Sequence, residues 1–483
     1  MRNGKKSALD VLKVSISNIV KLLAGIFVAF LLPKIIGVTD YGFYKTFTLY
    51  STYVGLFHFG FIDGIYLKYG GKDYSDLEKS TFRLFTRTLI IFELFISAVL
   101  LAFGLFFLHH ELKFIFICLS AFLFFYNVTT YYQFISQITS RFKELSLRNI
   151  IQSVFIGASV IVLWLISIVN PSLTISYRPF LICYVSIQML LTIWYVFTYR
   201  DITFGICDSF KKNAKFLLTL LILGIPLLVS NLCQTFLLSL DRQFVNVLFD
   251  TETYAVYSFA YNMVTLVTTA LTAVSTVLYP NLKKARNDSD GEAIIQSLYP
   301  KLVGLVLLLV FLCLAVYFPL TWFISWFLPK YSDSLPIFRI ILPSIATSSA
   351  VTLIMHNYYK IYGFERLFFI KSVIILLFAF VSNCVAFYFF KSTFSISVAS
   401  VISMAMWYIV SEVFFVRKFK VEWVGNFIYI AIMTVSFYLI SFIDIWWVGL
   451  ILYLFVFVCV AIIFHRKNIF FIKTAIIAKK ENG

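Results

Sequence analysis

VSISNIVKLLAGIFVAFLLPKII (Val14–Ile36) is a run of 23 residues interrupted by two lysines, long enough to cross a hydrocarbon core as a helix. Thirteen comparable stretches follow it. The spacing predicts spans over 14–36, 43–67, 84–108, 114–138, 150–169, 179–198, 216–240, 254–282, 300–328, 335–359, 367–390, 394–416, 424–443 and 445–465. The runs are continuous rather than alternating, which argues for helices and against an outer-membrane barrel. Of 483 residues 61% are hydrophobic and 13% charged. A soluble domain cannot hide that much apolar surface. No loop is long enough to fold separately, so function must reside among the helices.

Between the stretches, basic residues alternate from side to side. Loops on the N-terminal side hold 31 of the 40 Lys and Arg, while the opposite side holds 8: Lys34, Lys45, Lys113, Arg178, Arg242, Lys330, Arg339 and Lys391. The remaining one, Lys21, lies inside span 1. By the positive-inside rule both termini and every basic loop face the cytoplasm, which predicts a multi-pass carrier rather than an anchored enzyme. The net charge of +17 is then orientation signal and attraction to anionic headgroups, not a nucleic-acid surface. Seven Cys without a CxxC argue against a metal or disulfide site. No cofactor is expected. The N-terminal run exceeds signal-peptide length and lacks a small-residue cleavage site, so it reads as a retained span. Segment 139–149 suggests a short surface helix, and the tail 466–483 a basic amphipathic helix on the inner leaflet.

A short repeat suggests how the spans are grouped. Asp40-Tyr41-Gly42-Phe43-Tyr44 follows span 1, and Thr253-Tyr254-Ala255-Val256-Tyr257 follows span 7, 213 residues later. Six helices separate the copies, so the two halves run the same way through the membrane, as a parallel repeat whose lobes can rock. The expected fold is an all-α membrane protein of about 14 transmembrane helices, with six-helix lobes over 1–198 and 199–418. Two further helices occupy 419–465.

Polar residues recur at helical spacing on the first two spans of each half. Span 1 carries Asn18 and Lys21; span 2 carries Lys45, Thr52 and Asp63, read as one face. Asn231, Gln234, Asp241 and Arg242 mark span 7, and Asn262 and Thr265 mark span 8. Together these stripes describe a central cavity between two lobes. A plainer reading stands beside it: membrane Ser and Thr often bond a carbonyl one turn back, and Lys45 and Arg242 lie where a long side chain can snorkel. Arg83 and Arg87, one turn apart at the inner end of span 3, would greet a phosphate at a cytoplasmic entrance or simply add positive-inside charge. Glu93 and Glu412 could carry protons or tie helices together. His58 and His356 read as packing residues. No phosphate-binding loop for ATP is present, so energy must come from a gradient.

Several local sequences resemble a known family: LLPKIIGVTDYGFYKTFTLY (31–50), GFIDGIYLKYGGKDY (60–74), LSLDRQFVNVLF (238–249), YSFAYNM (257–263), YPNLKK (279–284) and WFLPKYSDS (326–334). They are similar to the polysaccharide-transport branch of the multidrug/oligosaccharidyl-lipid/polysaccharide exporter superfamily, which includes Wzx-type O-antigen flippases. The resemblance implies a non-enzymatic flippase that moves an undecaprenyl-diphosphate-linked oligosaccharide to the outer leaflet by alternating access. It also implies H+ or Na+ coupling and contact with polysaccharide assembly proteins. Lys21, Asp63, Asp241 and Arg242 are the positions that fit its charged cavity residues, and protonation of Asp63 or Asp241 would bias the access equilibrium. A cation-coupled multidrug antiporter and a flippase for the peptidoglycan lipid precursor remain alternatives. A membrane glycosyltransferase would need a large catalytic loop, which is missing here.

Overall fold

The computed structural model describes residues 2–286, 291–420 and 424–481, with side chains over 16–269, 271, 292–364, 366–420 and 425–466. Among these residues the only regular structure is helical. The helices are α1 (Arg2–Ile35), α2 (Val38–Ser51), α3 (Phe61–Tyr69), α4 (Lys79–Phe107), α5 (His110–Ile138), α6 (Phe142–Val169), α7 (Tyr177–Thr198), α8 (Arg200–Thr203), α9 (Phe210–Leu237) and α10 (Leu240–Leu248). They continue with α11 (Thr251–Arg286), α12 (Gly291–Cys313), α13 (Tyr317–Phe327), α14 (Ser334–Ile341), α15 (Ser344–Ser349), α16 (His356–Ile361), α17 (Glu365–Phe390), α18 (Thr393–Phe419), α19 (Val424–Ile440) and α20 (Trp446–Glu481).

Ten segments among the described residues are long and apolar enough to cross a membrane, and the bent α14–α16 segment makes an eleventh. This is a multi-pass membrane protein. The difference from fourteen has local causes. Span 2 is broken into α2 and α3, neither of which is long enough alone. The side chains of the C-terminal part of α11 lie outside the described residues, Thr272 and Thr276 among them. The apolar stretch of α19 runs only over Gly425–Ile440. Large apolar side chains face outward along the spans, with Phe106, Phe107, Val169, Tyr388 and Phe389 each at least 70% exposed, as lipid permits and water does not.

Two expectations are corrected. The polar segment 139–149 is no separate surface helix; from Phe142 it is the first turns of α6. The tail follows the last span across a kink at non-helical His465, beyond which the backbone is helical to Glu481. Its amphipathic side chains lie outside the described residues. Lys45 and Asp63 do not share one helix face, because nine residues of non-α backbone, 52–60, separate α2 from α3.

The chain forms two compact units, Met1–Ser258 and Phe259–Gly483. In the first, α1 packs along α6. A Cβ added to Gly157 would sit 3.6 Å from the Ala24 Cβ, the close approach that small residues allow between membrane helices. At the basic-loop end, Tyr132, Tyr195 and Tyr199 stack in near-parallel planes and pin α5 to α7, while Tyr132 and Tyr199 also share hydroxyl bonds with Thr203 and Ser136 at 2.8 and 2.7 Å. In the second unit, Tyr299 donates to the buried Glu412, and Tyr358 donates to the Ile295 carbonyl at 2.9 Å, which ties α12 to α16 and α18.

The tightest crossing joins α3 to α9. A Cβ on Gly64 would fall inside the Leu220 carbonyl, and one on Gly224 inside the Gly60 carbonyl. Gly60 also holds φ +85°, a left-handed geometry that glycine takes without Cβ strain. Substituting Gly64 or Gly224 with Val should therefore overpack the crossing and cost about 1–3 kcal/mol. Thermal unfolding in detergent should show a lower Tm for each, and less than additive loss for the pair. Gly425→Ala, with open space around its Cβ, should leave Tm unchanged or slightly raised.

Candidate functional site

Span 1 sets the first element of the site. Ile16, Ile19, Leu23, Ile26 and Phe27 are exposed on one arc of α1, the arc available to lipid. At about 100° per residue, Lys21 projects roughly opposite that arc, on the side that carries Ser17 and Leu32. Yet Lys21 is exposed, and Asn18 beside it is half-buried. Neither side chain has a hydrogen-bond or ion-pair partner among the described residues. Lipid would penalise an ammonium group left open within a span heavily.

A second cluster forms where α2 meets α10 and the start of α11. The close packing begins at Gly42, whose added Cβ would collide with Thr251. Thr46 donates to the Asn246 side-chain carbonyl at 2.8 Å, Tyr53 and Ser239 share a 2.7 Å hydroxyl bond, and Thr39 donates to Glu252 at 2.6 Å. Lys45 lies over the Tyr41 and Tyr44 rings at 5.2 and 5.5 Å and feels the charge of Arg242. Asp241 is 2% exposed; Tyr257 donates to one of its oxygens at 2.9 Å and the Arg242 backbone N–H to the other at 2.8 Å. The Arg242 guanidinium turns back to the Leu238 carbonyl at 3.0 Å. Two cations and one anchored carboxylate thus share a polar cluster. The repeated motifs contribute through their tyrosines: Tyr41, Tyr44, Tyr254 and Tyr257 are all buried. Asp40 has a separate duty, since its carboxylate accepts from the Ser176 hydroxyl and the Tyr177 N–H and so caps α7.

Asp63 stands apart from Lys45, in the first turn of α3. It is buried, with His58 Nε2 3.8 Å from its Oδ2. The Gly60 N–H donates to His58 Nδ1 at 3.2 Å, which assigns the imidazole proton to Nε2, the nitrogen nearer Asp63. Sequence spacing gave no hint of this pair, because the left-handed residues Phe59 and Gly60 reverse the chain between them.

The remaining stripes divide into open and internally satisfied groups. Asn231 is exposed and Gln234 half-buried, and neither side chain has a hydrogen-bond partner among the described residues. The threonines follow the plainer reading. Thr52 donates to the Leu49 carbonyl at 2.6 Å, Thr235 to Asn231 at 2.9 Å, Thr265 to Tyr261 at 2.8 Å and Thr269 to Thr265 at 2.7 Å. Asn262 is half-buried on the same helix as Thr265. Beside the first unit's polar clusters lies an apolar cavity of about 780 Å³, whose walls include Tyr53, Phe57, Leu100, Phe116, Leu228 and Phe236. Its chemistry suits hydrocarbon rather than sugar.

Arg83 and Arg87 bind protein. Arg83 donates to the Asp201 and Ile206 carbonyls at 2.8 and 3.0 Å, and Arg87 to the Gly205 carbonyl at 2.6 Å. Beside them Lys79 pairs with Asp201 at 2.9 Å, Tyr74 donates to the same carboxylate, and the Arg141 guanidinium lies 4.1 Å from the Tyr74 ring centre. This clamp fastens the loop after α3 to the end of α7, and sequence reasoning missed it because its members are 127 residues apart. Partial burial works against ionisation of Asp201, but Tyr74 and Lys79 outweigh it and hold the carboxyl below its ordinary range.

A family model described as "Polysaccharide biosynthesis protein" matches residues 8–286, and the chain belongs to that family. No curated protein matches it. Among solved structures it is similar to the lipid II flippase MurJ in an inward closed conformation, with a TM-score of 0.66 and 14% identity over 96% of this chain and 100% of that one. It is also similar to an inward-facing MATE family multidrug resistance transporter of the MOP superfamily, with a TM-score of 0.59 and 12% identity over 86% and 98%. A MOP superfamily transporter from Pyrococcus furiosus aligns at 0.54 and 12% over 85% and 95%. At such identities these likenesses establish a shared fold.

The clamp predicts a pH dependence. Because the folded Asp201 is more acidic than in the unfolded chain, its contribution is complete above the unfolded carboxyl range. It fades as pH falls through the folded value. Asp201 is 44% exposed at its side chain, so screening keeps the effect at about 1 kcal/mol or less. Asp201→Asn should lower Tm slightly at pH 7, and the difference from the parent protein should shrink on acidification towards pH 3.

Proposed function

We propose that this chain flips a polyprenyl-diphosphate-linked oligosaccharide, of the O-antigen or a similar repeat-unit kind. It moves the substrate from the cytoplasmic to the outer leaflet of a bacterial cytoplasmic membrane, by alternating access driven by an ion gradient. The observation that carries this reading is Lys21, an exposed ammonium facing away from the lipid arc in a protein of a polysaccharide biosynthesis family. A lipid-linked glycan brings two phosphate charges and many hydroxyls, each costly to move unpaired into hydrocarbon. A fixed cation answers the diphosphate with charge-assisted hydrogen bonds. Open amides such as Asn18, Asn231 and Gln234 can meet varied sugars without demanding one geometry. Lys45 and Arg242 supply a second positive site at the opposite end of the spans, with Asp241 fixing the backbone between helices.

The protein's own groups would do no bond chemistry. They replace water around the headgroup while the prenyl tail stays in hydrocarbon. A flippase for the peptidoglycan lipid precursor is the second reading, favoured by the full-length likeness to MurJ. That substrate shares the lipid-linked diphosphate and differs in the polar group the diphosphate carries.

Purified protein in liposomes should make a fluorescent polyprenyl-diphosphate sugar accessible to an external reagent. Loss of the charge-assisted contacts in Lys21→Ala should slow this roughly 10–100-fold, with Lys21→Arg retaining most of the rate. Faster movement of the peptidoglycan precursor than of other lipid-linked sugars would favour the second reading. Export of a cationic dye without any lipid movement would assign the chain to the antiporters instead.

A further inference from the structure

We infer that Glu93 is an internal proton-binding site that latches the broken middle of span 2, and that this proton is the one exchanged during transport. The second half of this statement rests on the transport reading above. Glu93 and Asn127 are both fully buried, on the adjacent helices α4 and α5. The Asn127 amide spends both its N–H bonds at once: one goes to Glu93 Oε2 at 2.8 Å and the other to the Val54 carbonyl at 3.2 Å. That double donation fixes the orientation of the amide. It leaves Glu93 Oε1 and Asn127 Oδ1 as two buried acceptors without a hydrogen-bond partner.

The missing element is a donor, and no side chain among the described residues supplies it. No Lys, Arg or His side chain hydrogen-bonds or ion-pairs with Glu93 among the described residues. On α5, the titratable groups closest in sequence to Asn127 are Tyr126 and Tyr131, the latter bonded to Thr86 at 3.1 Å. On span 2, Tyr53 is bonded to Ser239, and His58 is held by Gly60 and Asp63. From α8, Arg200 and Asp201 stand at the helix end, with Asp201 engaged by Lys79. An ionised carboxylate in such a place would be a buried charge without a countercharge, costing several kcal/mol. A proton on Oε1 removes that charge and adds one O–H donor. A metal ion fits less well: the site offers few oxygens, and the Val54 carbonyl already accepts from Asn127.

The location gives the proton something to control. Val54 begins the short 3-10 turn inside the non-α stretch 52–60, and Asn127 bonds its carbonyl. Glu93, Asn127 and the break are therefore one hydrogen-bonded unit. Binding a proton from one aqueous side stabilises this arrangement. Releasing it to the other side requires a conformation that lets water reach the carboxylate, so the break and the proton change state together.

Infrared difference spectroscopy on the purified protein in lipid nanodiscs, without substrate, tests the site itself. The parent protein should show at neutral pH a protonated-carboxyl stretch that shifts in D2O. Glu93→Gln should remove it, Asn127→Leu should shift it, and Asp63→Asn should leave it in place. Glu93→Gln should fold with an unchanged or higher Tm, since its amide supplies the missing donor. In liposomes, an imposed pH gradient should change flipping by the parent protein, and Glu93→Gln should lose at least tenfold of that response. A carboxyl band that survives Glu93→Gln overturns the site. A gradient response abolished by Asp63→Asn or Asp241→Asn but untouched by Glu93→Gln overturns its coupling role. If no lipid-linked sugar moves in the parent protein, the transport reading fails while the spectrum still decides the site.

Discussion

Hydrocarbon offers no hydrogen bonds, so every backbone N–H and C=O within the membrane must find its partner inside the protein. Most of this chain meets that constraint with unbroken helices. The informative places are those where it does not. Span 2 opens between Ser51 and Phe61, and side chains take up some of the freed backbone groups: Asn127 on the Val54 carbonyl, His58 on the Gly60 N–H. Irregular backbone at membrane depth is tolerated only where protein or water surrounds it, and span 2 is correspondingly packed at both ends. Gly60 and Gly64 lie against Leu220 and Gly224; Gly42 lies against Thr251.

That arrangement distributes the ionisable residues by kind. Asp63, Asp241, Glu93 and Glu412 are all buried and hold defined contacts: an imidazole nitrogen, a phenol and an N–H, an amide, and another phenol. Lys21 is exposed without one. Acidic groups inside the helices are thus held by the architecture, whereas this cation is not, which is why the proposed function rests on it. The basic residues Arg83 and Arg87, which the sequence offers either as a phosphate entrance or as positive-inside charge, donate to loop carbonyls.

Much of this was legible beforehand because hydropathy and periodicity are local. The helical runs, the tyrosine repeat and the oddity of Lys21 inside span 1 needed no tertiary information. The threonine stripes were legible only as an ambiguity, and Thr52, Thr235, Thr265 and Thr269 resolve it by bonding their own helices. Glu93 was visible as a charge in an apolar run, but its meaning depends on Asn127 and on a carbonyl 39 residues upstream.

The sequence by itself determined that the chain is built of many long apolar helices and that its basic loops are unbalanced, since both depend on residues counted along the chain; the family was legible in local motifs. The tertiary structure alone decided that span 2 is broken, that Lys45 and Asp63 part company, and that His58 meets Asp63. It also decided that α9 and α10 pack with the first unit. The reason is physical: a helix break is set by two left-handed residues and by the glycine crossing that holds them, and neither is a periodic signal. Which donors reach which acceptors is likewise fixed by helices that meet across more than a hundred residues of chain.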